Sequence, residues 1–168
     1  MRHFLIVVLL FFTEGVIFAQ PGRIYTSIQE VEDPSQVYHL RLHHKRLRQI
    51  PPEVFTFSNL QELDLRGNRI DTLPEEIGKL LHLQKLDLSR NRLRGLPSSI
   101  GKLTELKELI LWSTWITALP EEISALDSSL ETLDLRDGML TADEQDAIRA
   151  LLPSVKILWD LACNCSRN

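Results

Sequence analysis

Residues 60–80 read LQELDLRGNRIDTLPEEIGKL, and residues 83–103 read LQKLDLSRNRLRGLPSSIGKL. Both begin with the same leucine template, LxxLxLxxN. The template returns without its asparagine from Leu106 and again from Leu130, so successive copies start 23, 23 and 24 residues apart. An imperfect copy starts at Val37, 23 residues ahead of the first. A fixed period of this length predicts a solenoid, in which no single unit can bury its apolar face alone.

A second signature, LPxxI followed by GxL or xxL, fills the space between the templates. It begins at Leu73, at Leu96 and at Leu119. Over about residues 37–160 the chain therefore resembles the leucine-rich repeat (LRR) family. The match is to the 23-residue LPxxIGxL class, and the chain is similar to short exported bacterial LRR proteins. The resemblance implies an α/β fold: a short right-handed horseshoe with a parallel concave sheet and short helical or 3-10 segments on the convex side. It also implies a binding role without catalysis.

The template asparagine has a structural role in this family, where it bonds backbone groups of neighbouring units. Here only Asn68 and Asn91 occupy that position, and Lys45, Thr114 and Gly138 stand at the equivalent places. The resemblance therefore implies an asparagine ladder of two rungs, with looser outer repeats.

The N-terminus has the pattern of a secretory signal peptide, assigned to residues 1–19. A short basic start precedes the apolar run from Phe4 to Phe12, and Ala19 supplies a small residue for cleavage. The run is too short to span a bilayer, and Glu14 interrupts it. The sequence thus predicts a secreted or periplasmic protein without stable membrane insertion after signal removal.

The rest of the chain divides into three parts. Residues 20–36 are expected to form an N-terminal cap, in which Ser27 and Glu30 have the spacing of a capping box. Residues 37–154 contain about five repeats. A longer helix opening at Thr141, with Ala147, Ile148, Leu151 and Leu152 on its apolar face, is expected to close the last one. Residues 155–168 are expected to form a C-terminal cap strand over 155–160 and a Cys-Asn-Cys tail, which would make the protein a short solenoid.

The two cysteines of that tail leave several chemistries open. Cys163 and Cys165 are separated by one residue, which is near the geometric limit for a disulfide. Disulfide or cap chemistry, free thiols, and metal binding or intermolecular pairing are the alternatives. The tail also resembles the C-terminal cap of short exported bacterial LRR proteins.

Composition argues against several partners and cofactors. The formal net charge is -4, whereas a nucleic-acid-binding domain or a membrane-surface protein is expected to be basic. The sequence contains no nucleophile elbow, phosphate loop or HExxH motif, so we predict no cofactor and no enzymatic activity. His39 and His43 share the outward face of the first strand and could be considered metal ligands, but a polar sheet edge is the better interpretation.

The candidate site lies on the concave face, where side chains between the inward leucines point outward. In the fourth unit Ile110 and Trp112 are apolar where neighbouring units carry charges, and Trp115 follows in the adjoining loop. Aromatic residues beside arginines are typical of binding hot spots. The predicted partner is a protein or peptide; the alternative is a glycan or cell-wall polymer stacked on the tryptophans. A purely local interpretation pairs Trp112 with Arg136 as a cation–π contact. The residues predicted to bind the partner are Trp112, Ile110, Arg66, Arg90, Asp87, Arg136 and Trp115.

Overall fold

The computed structural model describes residues 22–138 and 140–160. Each coil of the chain contributes one short strand to a seven-stranded sheet, in which every strand pairs parallel with the next in chain order. This confirms the predicted LRR solenoid. The predicted signal segment, 1–19, and both cysteines lie outside the described residues. The strands are β1 Ile24–Tyr25, β2 His39–Arg41, β3 Glu62–Asp64, β4 Lys85–Asp87, β5 Glu108–Ile110, β6 Thr132–Asp134 and β7 Lys156–Leu158.

The template leucines form the core, as their alternation predicts. Leu63, Leu86, Leu109 and Leu133 are partners in the sheet register, and none is more than 1% exposed. All seven apolar residues of the second unit are buried. They are Leu60, Leu63, Leu65, Ile70, Leu73, Ile77 and Leu80. At about 1.5–3 kcal/mol for each buried side chain, this shared core is the main favourable contribution to stacking.

The convex side consists of 3-10 turns that start after a proline of each unit. Four such turns span Pro52–Thr56, Glu75–Lys79, Ser98–Lys102 and Glu121–Leu126. The glycine of the LPxxIGxL signature lets successive turns approach closely. A Cβ on Gly101 would lie 2.3 Å from the carbonyl oxygen of Glu122 in the next unit. The signature therefore sets how tightly the convex wall packs.

The asparagine ladder has the two rungs that the sequence implied. Asn91 donates to the carbonyls of Leu65 (3.0 Å) and Leu88 (2.9 Å), and its own oxygen accepts the Ile70 N–H at 3.0 Å. Asn68 makes the equivalent bonds one unit earlier. Thr114 replaces the third rung with a single bond from its hydroxyl to the Leu111 carbonyl, 2.7 Å.

The residue immediately before the ladder position is left-handed in every unit. His44, Gly67, Arg90, Ser113 and Asp137 have φ between 54° and 69°. Only Gly67 accommodates this conformation without steric cost, which is about 1–2 kcal/mol for other residues. The turn geometry is thus imposed by the solenoid, and it fixes where Arg90 leaves the backbone.

The C-terminal end closes the solenoid with helix α1, Ala142–Leu151. Thr141 and Glu144 form a capping box at its start. Ile148 and Leu152 are buried as predicted. Ala147, predicted on the same face, is exposed, because the helix buries a narrower stripe than the sequence pattern suggested. The expected strand over 155–160 is shorter, Lys156–Leu158.

The N-terminal end differs more from its prediction. Two 3-10 turns, Ile28–Glu30 and Pro34–Gln36, replace the single helix expected there. The Ser27 hydroxyl accepts the N–H of Gln29, and the Glu30 carboxylate accepts the hydroxyl of Thr26, so the predicted capping box is wrong. Strand β1, which the sequence pattern did not predict, pairs with β2 and places the buried Tyr25 against the first repeat.

Candidate recognition surface

Polar side chains on the concave face pair between adjacent strands, with a carboxylate in each pair. His39 Nδ1 lies 3.2 Å from a Glu62 carboxylate oxygen, and His43 Nδ1 lies 3.0 Å from Asp64 Oδ2. Further along, the Lys85 ammonium pairs with Glu108. The hydrogen bond to Glu108 raises the pKa of Lys85. These pairs stabilise the wall modestly, since partly exposed ion pairs contribute about 0–1 kcal/mol each.

The aspartates in the middle of the strands are held by the backbone. Asp64, Asp87 and Asp134 each accept the N–H two residues further on, at 3.0, 2.9 and 3.2 Å. This is an Asx turn, which closes the strand end on the concave side. Asp87 also accepts the Ser89 hydroxyl. Asp87, one of the predicted contact residues, therefore has a structural role at this turn.

Asp134 is the most buried of these carboxylates. Arg136 binds it with two bonds, Nε to Oδ1 at 2.9 Å and a terminal nitrogen to Oδ2 at 2.7 Å. Burial by itself would raise the pKa of Asp134, but the hydrogen bonds from Arg136 outweigh it and hold the pKa below its ordinary value. The Arg136 guanidinium is thus engaged by a carboxylate two residues earlier in its own unit.

The fourth unit interrupts this network with apolar side chains. Ile110 lies in register between Asp87 and Asp134 and is half-buried. Trp112 follows it, also half-buried, and the Arg90 guanidinium carbon lies 4.4 Å from the centre of a Trp112 ring. The pairing expected with Arg136 is therefore wrong: the stacking arginine comes from the preceding unit, because the Arg136 guanidinium is engaged by Asp134.

The other predicted contact residues lie further away. Trp115 is 54% exposed in the loop beyond the sheet, with Arg94 5.8 Å from its ring centre. Arg66 is exposed on the second unit. Two strand spacings separate it from the unit of Trp112, or about 10 Å. The structure thus brings together Ile110, Trp112 and Arg90, and leaves Arg66 and Trp115 at the margins.

A polar groove of about 450 Å³ on the first three units includes Arg66 and Asp87 of the predicted site, but its other polar lining residues were not predicted as contacts. The outward-facing side chains that line this groove alternate in charge. The sequence could have revealed the groove if the outward strand positions of three consecutive units had been compared with one another. The polar lining residues are His39, Arg41, His43, Glu62, Asp64, Arg66, Lys85 and Asp87. Within residues 22–138 and 140–160, no group of three or more His, Cys, Asp or Glu side chains is arranged to hold a metal ion.

The family model for the leucine-rich repeat region matches residues 25–110 and, in a second placement, 60–166. The chain belongs to the leucine-rich repeat family. No curated protein sequence matches it. Across the part of the chain that the structure describes, no helix is long and apolar enough to cross a membrane.

Solved structures of other LRR proteins share the fold. An LRR protein of Leptospira interrogans is 40% identical over 74% of this chain and 31% of its own length, with a TM-score of 0.71. The ectodomain of an Arabidopsis thaliana membrane receptor kinase, solved with Casparian strip integrity factor 2, is 28% identical over 81% of this chain and 17% of its own, with a TM-score of 0.57. A plant peptide hormone receptor in complex with its hormone is 28% identical over 66% and 18%, with a TM-score of 0.52. The chain spans less than a third of the length of each.

Proposed function

We propose that this chain is an exported, non-enzymatic LRR protein that binds a protein or peptide through its concave face, centred on Trp112. The LRR fold is commonly a protein-binding scaffold, and two of the plant neighbours were solved with a bound peptide. The observation that carries the proposal is the apolar pair Ile110 and Trp112 in a wall where His39, His43, Lys85 and Arg136 each lie against a carboxylate.

The geometry of Trp112 suits an anchor. Its contact with Arg90 restrains the indole in one orientation before any partner arrives, which lowers the entropy lost on binding. Ile110, between two strands that end in Asx turns, offers an adjacent apolar surface with a rigid backbone. A partner that inserts an apolar side chain here would be surrounded by a polar rim, which is the arrangement found around binding hot spots.

The other predicted residues would act at this rim. Arg66 lies in the polar groove of the first three units and carries no ion pair within residues 22–138 and 140–160, so it can donate hydrogen bonds to a carboxylate of the partner. Arg136 and Asp87 would maintain the shape of the wall around the anchor. Arg136 is hydrogen-bonded to Asp134, and Asp87 accepts the N–H of Ser89. Trp115 would extend the contact into the loop.

The test uses Trp112→Ala with Leu81→Ala as its matched control. Leu81 is 53% exposed outside the strands, so its replacement removes apolar surface without touching the concave face. Partners captured from the native extract by the wild-type chain are identified by mass spectrometry and then titrated against both variants. We expect Trp112→Ala to weaken binding about 30-fold, corresponding to a hot spot of about 2 kcal/mol, with little change in melting temperature. Intact binding with a large loss of stability would contradict the proposal.

Export has a separate test. Sequencing the N-terminus of the protein recovered from the envelope or medium should show that residues 1–19 have been removed, as a cleaved signal peptide requires. Recovery of the chain with Met1 from the cytoplasmic fraction alone would contradict export and leave the concave-face proposal untouched.

A further inference from the structure

One edge of the solenoid carries a concentration of positive charge that the net charge conceals. The loops after β2, β3 and β4, residues 43–49, 66–72 and 89–95, contain eight lysines and arginines but one acid, Asp71. The remaining chain holds eleven cations and twenty-two acids. All eight cations are exposed. We call this surface the basic edge; its members are Lys45, Arg46, Arg48, Arg66, Arg69, Arg90, Arg92 and Arg94.

Three of these arginines form a regular row. Arg46, Arg69 and Arg92 occupy the same position in successive units, 23 residues apart, and the next unit places Trp115 there. Backbone bonds between units fix the row: Arg69 N–H donates to the Leu47 carbonyl (2.7 Å), and the equivalent bonds from Arg92 and Trp115 measure 2.8 and 2.9 Å. Since the units stack at strand spacing, the backbones of neighbouring members are about 5 Å apart.

The basic edge is not neutralised from within the molecule. In the described ranges, 22–138 and 140–160, every ion pair involves other cations. Arg90 and Arg94 stack on Trp112 and Trp115, contacts that leave their charge uncompensated. Like charges at this spacing repel one another, and an external anion with a repeating charge would relieve that repulsion.

We propose that the basic edge binds a linear anionic polysaccharide, which runs across the first three units and stacks a sugar ring on Trp115. A polymer with carboxylate or sulfate groups at regular intervals can contact each arginine of the row in turn, and guanidinium groups bind such oxyanions with paired hydrogen bonds. Trp115, 54% exposed at the end of the row, provides an apolar face for the next ring. This surface adjoins the anchor at Trp112, with which it shares Arg90.

The arrangement favours a polysaccharide over a single-stranded nucleic acid. Nucleic-acid grooves combine cations with aromatic side chains that stack successive bases. Here the three members of the row that precede Trp115 are all arginines, so consecutive bases would find no aromatic stacking platform along them. The predicted export of the chain also places it among envelope or extracellular polymers.

The experiment measures binding of the full chain to dextran sulfate, polygalacturonate, neutral dextran, an oligothymidylate and phosphatidylglycerol vesicles. We expect binding to at least one of the two anionic glycans but not to neutral dextran, with affinity that falls as salt is raised. The variant Arg46→Gln/Arg69→Gln/Arg92→Gln should lose about tenfold in affinity or more. The control, Lys79→Gln/Lys102→Gln/Lys107→Gln, removes the same charge from exposed lysines outside the basic edge and should lose less than about twofold.

Folding measurements and two single variants distinguish a loss of glycan binding from a loss of structure. Circular dichroism should show both triple variants folded; if the arginine variant is not, Arg69→Gln alone should still weaken glycan binding while the control does not. Trp115→Ala should weaken binding to the glycan without changing its salt dependence. Equal losses in both triple variants, tighter binding to the oligothymidylate or to vesicles than to either glycan, or no binding to any probe would each overturn the proposal.

Discussion

Replacing Asn91 with alanine should test whether the asparagine ladder, rather than leucine packing alone, stabilises the centre of the solenoid. Asn91 is 4% exposed. Its loss orphans the N–H of Ile70 and the carbonyl of Leu88, whereas the Leu65 carbonyl keeps its bond from Asn68 at 2.7 Å. Two buried backbone groups left without partners cost about 1–3 kcal/mol each, so we expect a loss of about 2–6 kcal/mol in the free energy of unfolding.

The assay is urea denaturation followed by far-ultraviolet circular dichroism, with Thr114→Ala as the matched control. Thr114 occupies the same position one unit later and makes one bond, to the Leu111 carbonyl. Its removal leaves that one carbonyl without a partner and should cost about 1–3 kcal/mol, half the loss expected for Asn91→Ala. A lowered slope for Asn91→Ala would indicate that the two halves unfold separately, as nearest-neighbour coupling in repeat proteins allows. Equal midpoints and slopes for the two variants would refute the reasoning.

Three further predictions concern other parts of the solenoid. Gly101→Ala should lower the free energy of unfolding in urea by about 2–3 kcal/mol, because its Cβ would lie 2.3 Å from a backbone oxygen of the next unit. Gly95→Ala is the control: a Cβ there would have no neighbour within 4 Å, and stability should change by less than about 1 kcal/mol. Equal effects of the two substitutions would exclude the close approach as the cause. Thr114→Asn should restore the third ladder rung and add about 1 kcal/mol to the same free energy; no gain would mean that the turn cannot position the amide. The pKa of Asp134 is lowered in the folded state from 3.8, so this carboxylate stabilises the protein above about pH 4, and its contribution is lost as the pH falls through the folded-state pKa. The difference in unfolding free energy between wild type and Asp134→Asn should shrink over that pH interval. A difference that does not change with pH would contradict this prediction.

Periodicity predicted the fold because one physical requirement repeats in every unit. Leu63 and its counterparts must be buried at the same position of each coil, so the spacing reveals the strand, the sheet order and the register. The ends lack that constraint. The strand Ile24–Tyr25 carries no repeat, and its formation depends on the exposed edge of β2, a tertiary property that local sequence does not contain.

Candidate site residues were harder to predict because side-chain partners depend on competition. Trp112 has arginines in both flanking units, and their spacing alone does not select between them. The selection follows from Asp134, whose two bonds engage Arg136 and leave Arg90 to stack on the indole. Likewise, Asp87 has the exposure pattern of a contact residue, but its carboxylate is used by the backbone N–H of Ser89. The outward position of a residue on the strand predicts that its side chain lies on the sheet face. Whether that side chain is available to bind a partner depends on the bonds it makes with its neighbours.

Net charge is a poor guide to partners in a solenoid, since a repeat segregates charge by position. A value of -4 argued against nucleic acid and anionic membrane surfaces, because proteins that bind them are expected to be basic. Here acids recur on the strands and in some convex turns, as in Asp87 and Glu75, whereas the loops after β2, β3 and β4 are rich in cations. The eight cations of the basic edge then face three acids, Asp71 within the loops and Asp64 and Asp87 at the strand ends before them. Reading charge by repeat position rather than by total would have exposed the row of Arg46, Arg69 and Arg92 from the sequence itself.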